Sequence, residues 1–175
     1  MSSASPYQVD ISDSQSAVQM SEVELLEVVA ATLAAEGIVE AEISIALVDD
    51  PTIHEVNRTH LEHNYPTDVI SFLFDSEMLN PRSAQAPGRR GNGLRIEGEV
   101  ILSGDTAVRE AREYGWEPRA EVLLYLVHGL LHLCGYDDLS DEEQILMRRR
   151  EREILALFQL TPHYAEDHEP AQTDP

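Results

Sequence analysis

The chain has 175 residues and a formal net charge of −21, with 33 acidic against 12 basic side chains and 42% hydrophobic content. That length suits one compact domain with a sizeable core, and a single cysteine excludes an intrachain disulfide and fits a reducing cytoplasm. No basic-then-apolar leader and no apolar run of roughly 18 residues is found, so neither a signal peptide nor membrane association is expected, and such acidity argues against autonomous binding of nucleic acid.

Residues 1–18 are polar and weakly patterned; they read as a loosely ordered lead-in, or as a short first strand around Gln8 to Ile11. Ser21 followed by Glu24 is a capping box, and Gly37 closes the amphipathic helix that it opens. Ile43, Ile45 and Leu47 alternate with Glu42, Ser44 and Ala46, the period of a half-buried strand. Asp50 and Pro51 then start a second helix, with aspartate expected as N-cap and proline at the first helical position.

Residues 69–74 and 97–103 are further strands, joined by a stretch rich in proline, glycine and arginine whose length marks it as functional or unstructured. Asp105 is expected to cap a helix that runs to about Tyr114 and stops at Gly115. A long apolar helix covers 118–134, and Ser140 with Glu143 opens a last one to about Leu160. Past His163 the chain is acidic and proline-bearing, which gives a division into a lead-in 1–18, one compact domain 19–162 and a tail 163–175 expected to be disordered. About four strands among about five helices make an α+β domain. Its core should draw on Leu25, Val28, Val29, Leu33, Ile45, Leu47, Val56, Val69, Phe72, Val100, Leu102, Leu124 and Val127.

Chemistry concentrates near the end of the apolar helix. His128 and His132 are four residues apart, about 40° around a helix, so both imidazoles leave one face and can reach one ion. Gly135 suits a left-handed helix stop, after which the chain can return Asp138 to the same point. Asp137 and Asp138 can each be an ordinary acid after a helix end or part of the next cap; spacing favours Asp138 as third ligand. Two imidazoles and one carboxylate leave a fourth tetrahedral position for water, the open form of a catalytic zinc site. Cys134 lies about 200° around the helix from His132 and is expected to be a small buried apolar side chain. Zinc peptidases carry a general-base glutamate directly after the first histidine, where this chain has Gly129, so amide hydrolysis by that route is not expected. Metal-activated water acting on a phosphodiester fits better, with no side chain assigned as catalytic base.

At these residues the chain resembles the YbeY family of bacterial metal-dependent endoribonucleases. The shared string is His128-Gly129-x-Leu131-His132-Leu133-x-Gly135-Tyr136-Asp137, and Pro66-Thr67-Asp68-Val69-Ile70-Ser71-Phe72 and Gly98-Glu99-Val100-Ile101-Leu102-Ser103 agree in order and spacing. The resemblance implies a small mixed four-stranded sheet packed with helices in a zinc-peptidase-like architecture. It further implies single-strand-specific cleavage in 16S ribosomal RNA 3′ end maturation and ribosome quality control, one zinc ion or another divalent metal such as manganese, and ribosomal RNA and ribosomal proteins as partners. Two positions depart from the family. A third histidine is usual where Asp138 stands, and an arginine–glycine pair falls, counting back from Pro66, on Leu61 and Glu62. His60, His63 or Arg58 would have to supply a replacement donor.

Every basic residue is arginine, and Arg82, Arg89, Arg90 and Arg95 share a stretch without acids, which is either a phosphate-contacting loop or a solvated one. Arg148, Arg149, Arg150 and Arg152 are interleaved with Glu142, Glu143, Glu151 and Glu153, the pattern of an exposed helix laced with ion pairs. His60 and His63 share a helical face, but no partner at metal-binding spacing stands out. Two other functions remain open on sequence: a ribosome-biogenesis factor that keeps the metal for stability with little or no cleavage, and a two-histidine-one-carboxylate iron site. Oligomeric state is not legible.

Overall fold

The computed structural model describes residues 4–61, 67–82 and 89–164. Strands β1 (Tyr7–Asp13), β2 (Glu40–Val48), β3 (Val69–Met78) and β4 (Leu94–Ser103) form one sheet in the order β1-β2-β4-β3. β1 and β4 both run parallel to β2, while β3 is an antiparallel edge strand on β4. Five helices accompany them among the described residues: α1 (Glu22–Ala35), α2 (Asp50–Leu61), α3 (Gly104–Tyr114), α4 (Pro118–Leu133) and α5 (Asp141–Ala156). This is the expected α+β class with a mixed sheet. Of the two options for the first residues, a strand forms, and it is longer than the patterning indicates because pairing with β2 orders it.

The serine half of each capping box forms, with Ser21 Oγ accepting from Glu24 N at 3.3 Å and Ser140 Oγ from Glu143 N at 3.2 Å, while the glutamates turn to Arg119 and Arg90 instead of closing the box. Two other caps move by one or two residues. Asp49, not Asp50, accepts from Thr52 N at 2.9 Å, and Ser103, not Asp105, accepts from Thr106 N at 3.1 Å. The displaced carboxylates join the two helix starts instead. Asp50 Oδ1 accepts from Ser103 Oγ at 2.6 Å and Thr106 Oγ1 at 2.8 Å, and Asp105 Oδ2 accepts from Asp50 N at 2.8 Å. Local spacing cannot distinguish a carboxylate that caps its own helix from one that reaches a neighbour.

Helix α4 is the centre of the fold, packed against α1, α3, α5, β3 and β4, with every residue from Ala120 to Val127 buried. The larger core lies between it and the sheet. On the opposite face a smaller cluster of Val48, Ile53, Ile70 and Ile101 sits under α2. Val56, Val69 and Phe72, expected in the core, are only half-buried, whereas the other expected positions are buried.

Gly129 explains why α4 lies so close to the sheet. A Cβ there would be 2.5 Å from Val100 Cγ1 and 3.1 Å from Ser71 Oγ, and its carbonyl accepts from Ser71 Oγ at 3.0 Å. The position that holds a general base in zinc peptidases therefore has no room for any side chain. Alanine favours helix by about 1 kcal/mol over glycine, but overpacking typically costs about 1–3 kcal/mol. Gly129→Ala should lower the urea midpoint by a net cost of about 1 kcal/mol; a variant more stable than the parent would show that this contact is not tight.

Candidate metal centre and adjoining cleft

Successive turns of α4 bring the Nε2 atoms of His128 and His132 to 3.1 Å from one another, with ring planes 80° apart. Gly135 then reverses the chain at φ 104°, a conformation that glycine adopts without Cβ strain. The turn is closed by Gly135 N donating to His132 O and Tyr136 N to Leu131 O, each at 3.0 Å. It returns Asp138, whose carboxylate oxygens lie 3.6 Å from His128 Nε2 and 3.7 Å from His132 Nε2. Asp137 is engaged otherwise, accepting from Asp138 N at 2.7 Å. The aspartate favoured by spacing is thus the one that joins the imidazoles, with all three ligand atoms within 4.8 Å of one another.

The far side of each ring is held. His128 Nδ1 donates to Glu151 Oε1 at 2.7 Å, and the other Glu151 oxygen accepts from Tyr164 Oη at 2.5 Å. Arg148 and Arg152 lie 4.7 and 4.9 Å from the centroid of the Tyr164 ring. His132 Nδ1 donates to Tyr136 O at 3.1 Å. The Tyr136 hydroxyl donates to Glu36 at 2.8 Å, and fully buried Glu36 also accepts from Arg150 Nε at 2.6 Å. The backbone carbonyl that orients His132 is thereby fixed by a buried ion pair between the end of α1 and α5.

A neutral imidazole that donates from Nδ1 carries a lone pair on Nε2. Two such lone pairs and a carboxylate converging within 4.8 Å repel one another unless a cation or a proton lies between them. Zinc–nitrogen bonds of about 2.0–2.1 Å at the tetrahedral angle put two ligating nitrogens about 3.3 Å apart. His128, His132 and Asp138 could therefore hold one divalent ion with little movement.

Titration follows the same geometry. Burial works against charge on His128, but the hydrogen bond and charge of Glu151 outweigh it, with Asp68 and Asp138 assisting, and its pKa is raised. Burial and the charge of His128 lower that of His132. Burial, then the bond to Glu36, pushes Tyr136 up to about 12. Burial also raises the Cys134 thiol; the side chain is 1% exposed, in keeping with an apolar role.

A cleft of about 480 Å³ opens beside the imidazoles, walled by Thr67, Asp68, Val69, Ser71 and Leu73 along edge strand β3, with His128, His132 and Asp138 opposite. Neither Arg58 nor His60 lines it: Arg58 pairs with Glu55 at 2.6 Å, and His60 lies edge-on to Phe72. The side chain of Leu61, and Glu62 and His63 entirely, are outside the described residues, so the second His60–His63 pairing is as well.

Several charged residues have other duties than their spacing indicates. Glu151 was expected on a solvated face but is 2% exposed, because Met147, Glu151, Ile154 and Leu155 form one buried stripe at helical intervals. Arg149 to Glu153 at 3.2 Å and the neighbouring Arg150–Glu153 pair follow the surface lacing expected of α5. Arg90 bonds Glu143 at 2.7 Å and covers the Tyr136 ring; Arg95 is surrounded by Glu40, Glu42, Asp75 and Glu97. Tyr164, placed by sequence in the tail, is 9% exposed and locked onto Glu151.

A mixed sheet with an antiparallel edge strand beside a His-x-x-x-His helix is the layout of single-domain metal-dependent hydrolases. More narrowly, the sequence model of the family described as Endoribonuclease YbeY matches residues 8–159. An endoribonuclease YbeY of Rhodopirellula baltica is 39% identical over 86% of this chain and 72% of its own length. One of Moorella thermoacetica is 41% identical over 75% and 83%, and one of Geobacillus thermodenitrificans 34% identical over 88% and 97%. This chain belongs to the YbeY endoribonuclease family. The solution structure of TM1509 from Thermotoga maritima, 18% identical, superposes with a TM-score of 0.51 over 97% of this chain and 99% of that one, a likeness of fold. No helix among the described residues is long and apolar enough to cross a membrane.

Replacing Glu151 by glutamine removes the charge that holds the His128 Nδ1 proton. Zinc affinity of Glu151→Gln, read by competition with a chromogenic chelator, should fall about 10–100-fold. Because Glu151 raises the His128 pKa, the parent's zinc affinity should begin to fall on acidification above the ordinary histidine value of about 6.5, and the weaker affinity of the variant should stay level to a lower pH. Unchanged affinity together with an unchanged pH onset would remove Glu151 from this role.

Proposed function

We propose that this chain is a metal-dependent endoribonuclease that hydrolyses single-stranded RNA, acting in the cytoplasm on the 3′ end of 16S ribosomal RNA during maturation and quality control of ribosomes. Its ion is zinc, with manganese as an alternative, bound by His128, His132 and Asp138. One observation carries this reading: in a chain of an endoribonuclease family, two imidazole lone pairs 3.1 Å apart and a carboxylate face a cleft along the sheet edge. The relatives are named endoribonucleases, which supports RNA as substrate; the ribosomal assignment, including contact with ribosomal proteins, rests on the sequence resemblance.

Held by these groups, a divalent ion would supply Lewis acidity towards a phosphodiester oxygen and towards water. The protein supplies orientation. Glu151 keeps the proton on His128 Nδ1, and the Tyr136 carbonyl keeps the one on His132 Nδ1, so both Nε2 atoms face the cleft as bases. Asp68 Oδ1 accepts from Val69 N at 2.8 Å and Thr67 Oγ1 at 3.2 Å, which fixes a carboxylate at the cleft wall. Leu133 and Leu73 add apolar surface to the cleft wall.

Purified protein reloaded with metal should cut a single-stranded RNA, and His128→Ala should cut it at least about a hundredfold more slowly, in line with loss of metal catalysis. Equal cleavage by parent and variant would assign the activity to a contaminant; no cleavage by the loaded parent would leave a metal-stabilised biogenesis factor. With an ion bound, the Asp138 carboxylate would reduce the net charge of the centre by one relative to a third imidazole, so water held there would be less acidified. Asp138→His should shift the rising, acid-side limb of the pH–rate profile to lower pH, and an unmoved profile would show that Asp138 does not ligate.

A further inference from the structure

A second cavity, of about 220 Å³, adjoins the same centre from the side of α3 and α5. Asp68, His128 and Asp138 line both hollows, so the metal-ligand cluster stands at their junction. The proposed cleavage gives the cleft a phosphodiester to hold but gives this second cavity no occupant.

Its lining is specific in chemistry. Tyr125, 3% exposed, places in it a hydroxyl that stands beside the Glu121 carboxylate but completes no well-formed hydrogen bond. Glu110 and Glu121 stand beside it from α3 and α4. Burial, then the charges of Glu121 and Asp68, raise the Tyr125 pKa, so the hydroxyl keeps its proton and can both donate and accept. Tyr114 and Tyr164 contribute aromatic surface. Asp68, Glu110, Glu121 and Glu151 outnumber the Arg148 guanidinium on the same lining and together disfavour phosphate or another anion. A flat, neutral group with several N–H donors on one edge satisfies these walls, and a buried hydroxyl left unpaired costs about 1–3 kcal/mol.

We propose that this cavity receives the base of the nucleotide next to the cleaved bond and selects bases that carry an exocyclic amino group, guanine foremost. The proposal rests on the endoribonuclease reading, since a phosphodiester at the metal centre brings the flanking nucleoside to the junction. Single-stranded RNA is commonly read this way, by stacking on aromatic rings and hydrogen bonds to an unpaired base edge. Guanine offers N1–H and an amino group to the carboxylates and O6 to the Tyr125 hydroxyl. Adenine and cytosine offer an amino group alone. Uracil offers a single N–H between two carbonyl oxygens that face the acid walls, and is disfavoured.

The probes are two fluorescein-labelled pentanucleotides, 2′-O-methylated throughout so that neither is cut, identical except for guanine or uracil at the centre. Metal-loaded full-length protein should bind the guanine probe about tenfold more tightly in anisotropy titrations, the discrimination of one good bidentate contact. Tyr125→Phe, which removes only the hydroxyl, and Glu110→Gln should each reduce that ratio to about threefold or less. Trp116 is the chain's single tryptophan, and its indole N–H is held by Glu121 at the cavity wall, so its emission should respond to unlabelled guanine oligonucleotide and not to uracil. Equal affinities, a preference that survives both substitutions, or no binding of either probe would overturn the proposal. Because neither probe is hydrolysed, these outcomes are independent of activity: cleavage without base preference removes the pocket alone, and base preference without cleavage removes the nuclease reading alone.

Discussion

The structure depends on the disposal of two protons. Each imidazole of the α4 pair gives its Nδ1 hydrogen to an acceptor that the fold holds still, a buried carboxylate for His128 and a backbone carbonyl for His132. With those hydrogens committed, the lone pairs have no choice but to meet at the mouth of the cleft, where Asp138 adds negative charge. Such crowding is unfavourable on its own, and the surrounding packing sustains it. Glu151 is anchored by Tyr164, and the Tyr136 carbonyl by the hydroxyl of the same residue on Glu36. The pair Glu36–Arg150 is thus a positioning device: breaking one partner of such a buried pair typically costs about 3–5 kcal/mol.

The acidity of the chain acquires meaning from this arrangement. Glu36, Glu121 and Glu151 are each at most 4% exposed and each accepts a specific hydrogen bond, so part of the negative charge is architecture rather than surface. Arginines are used likewise: Arg90 and Arg150 secure the turn that carries Asp138, and Arg95 lies among acids of β2, β3 and β4. Engaged by carboxylates and a backbone carbonyl, these three cations add little to any basic surface for a phosphate backbone.

Much was legible beforehand. Helical spacing put His128 and His132 on one side of α4, the Gly135 stop gave the return to Asp138, and alternation marked β2. Glu151 was also within reach of periodicity, since it stands four residues after Met147 and three before Ile154, but its charge argued for solvent and the argument from stripe position was the stronger one. Asp49 and Ser103 as caps were not readable, because the competing carboxylates of Asp50 and Asp105 are withdrawn by partners more than fifty residues away.

What the sequence determined by itself is therefore local: element type, the shared face of two imidazoles, the glycine that turns the chain, and the family string around them. Those properties follow from residue-to-residue geometry within a turn or two of backbone. Tertiary structure alone decided which nitrogen of each histidine is available, which carboxylates are buried, that Gly129 must be small, and that two hollows meet at one centre. Each of these depends on groups brought together from distant positions, and hydrogen bonding and close packing act only on atoms already in contact.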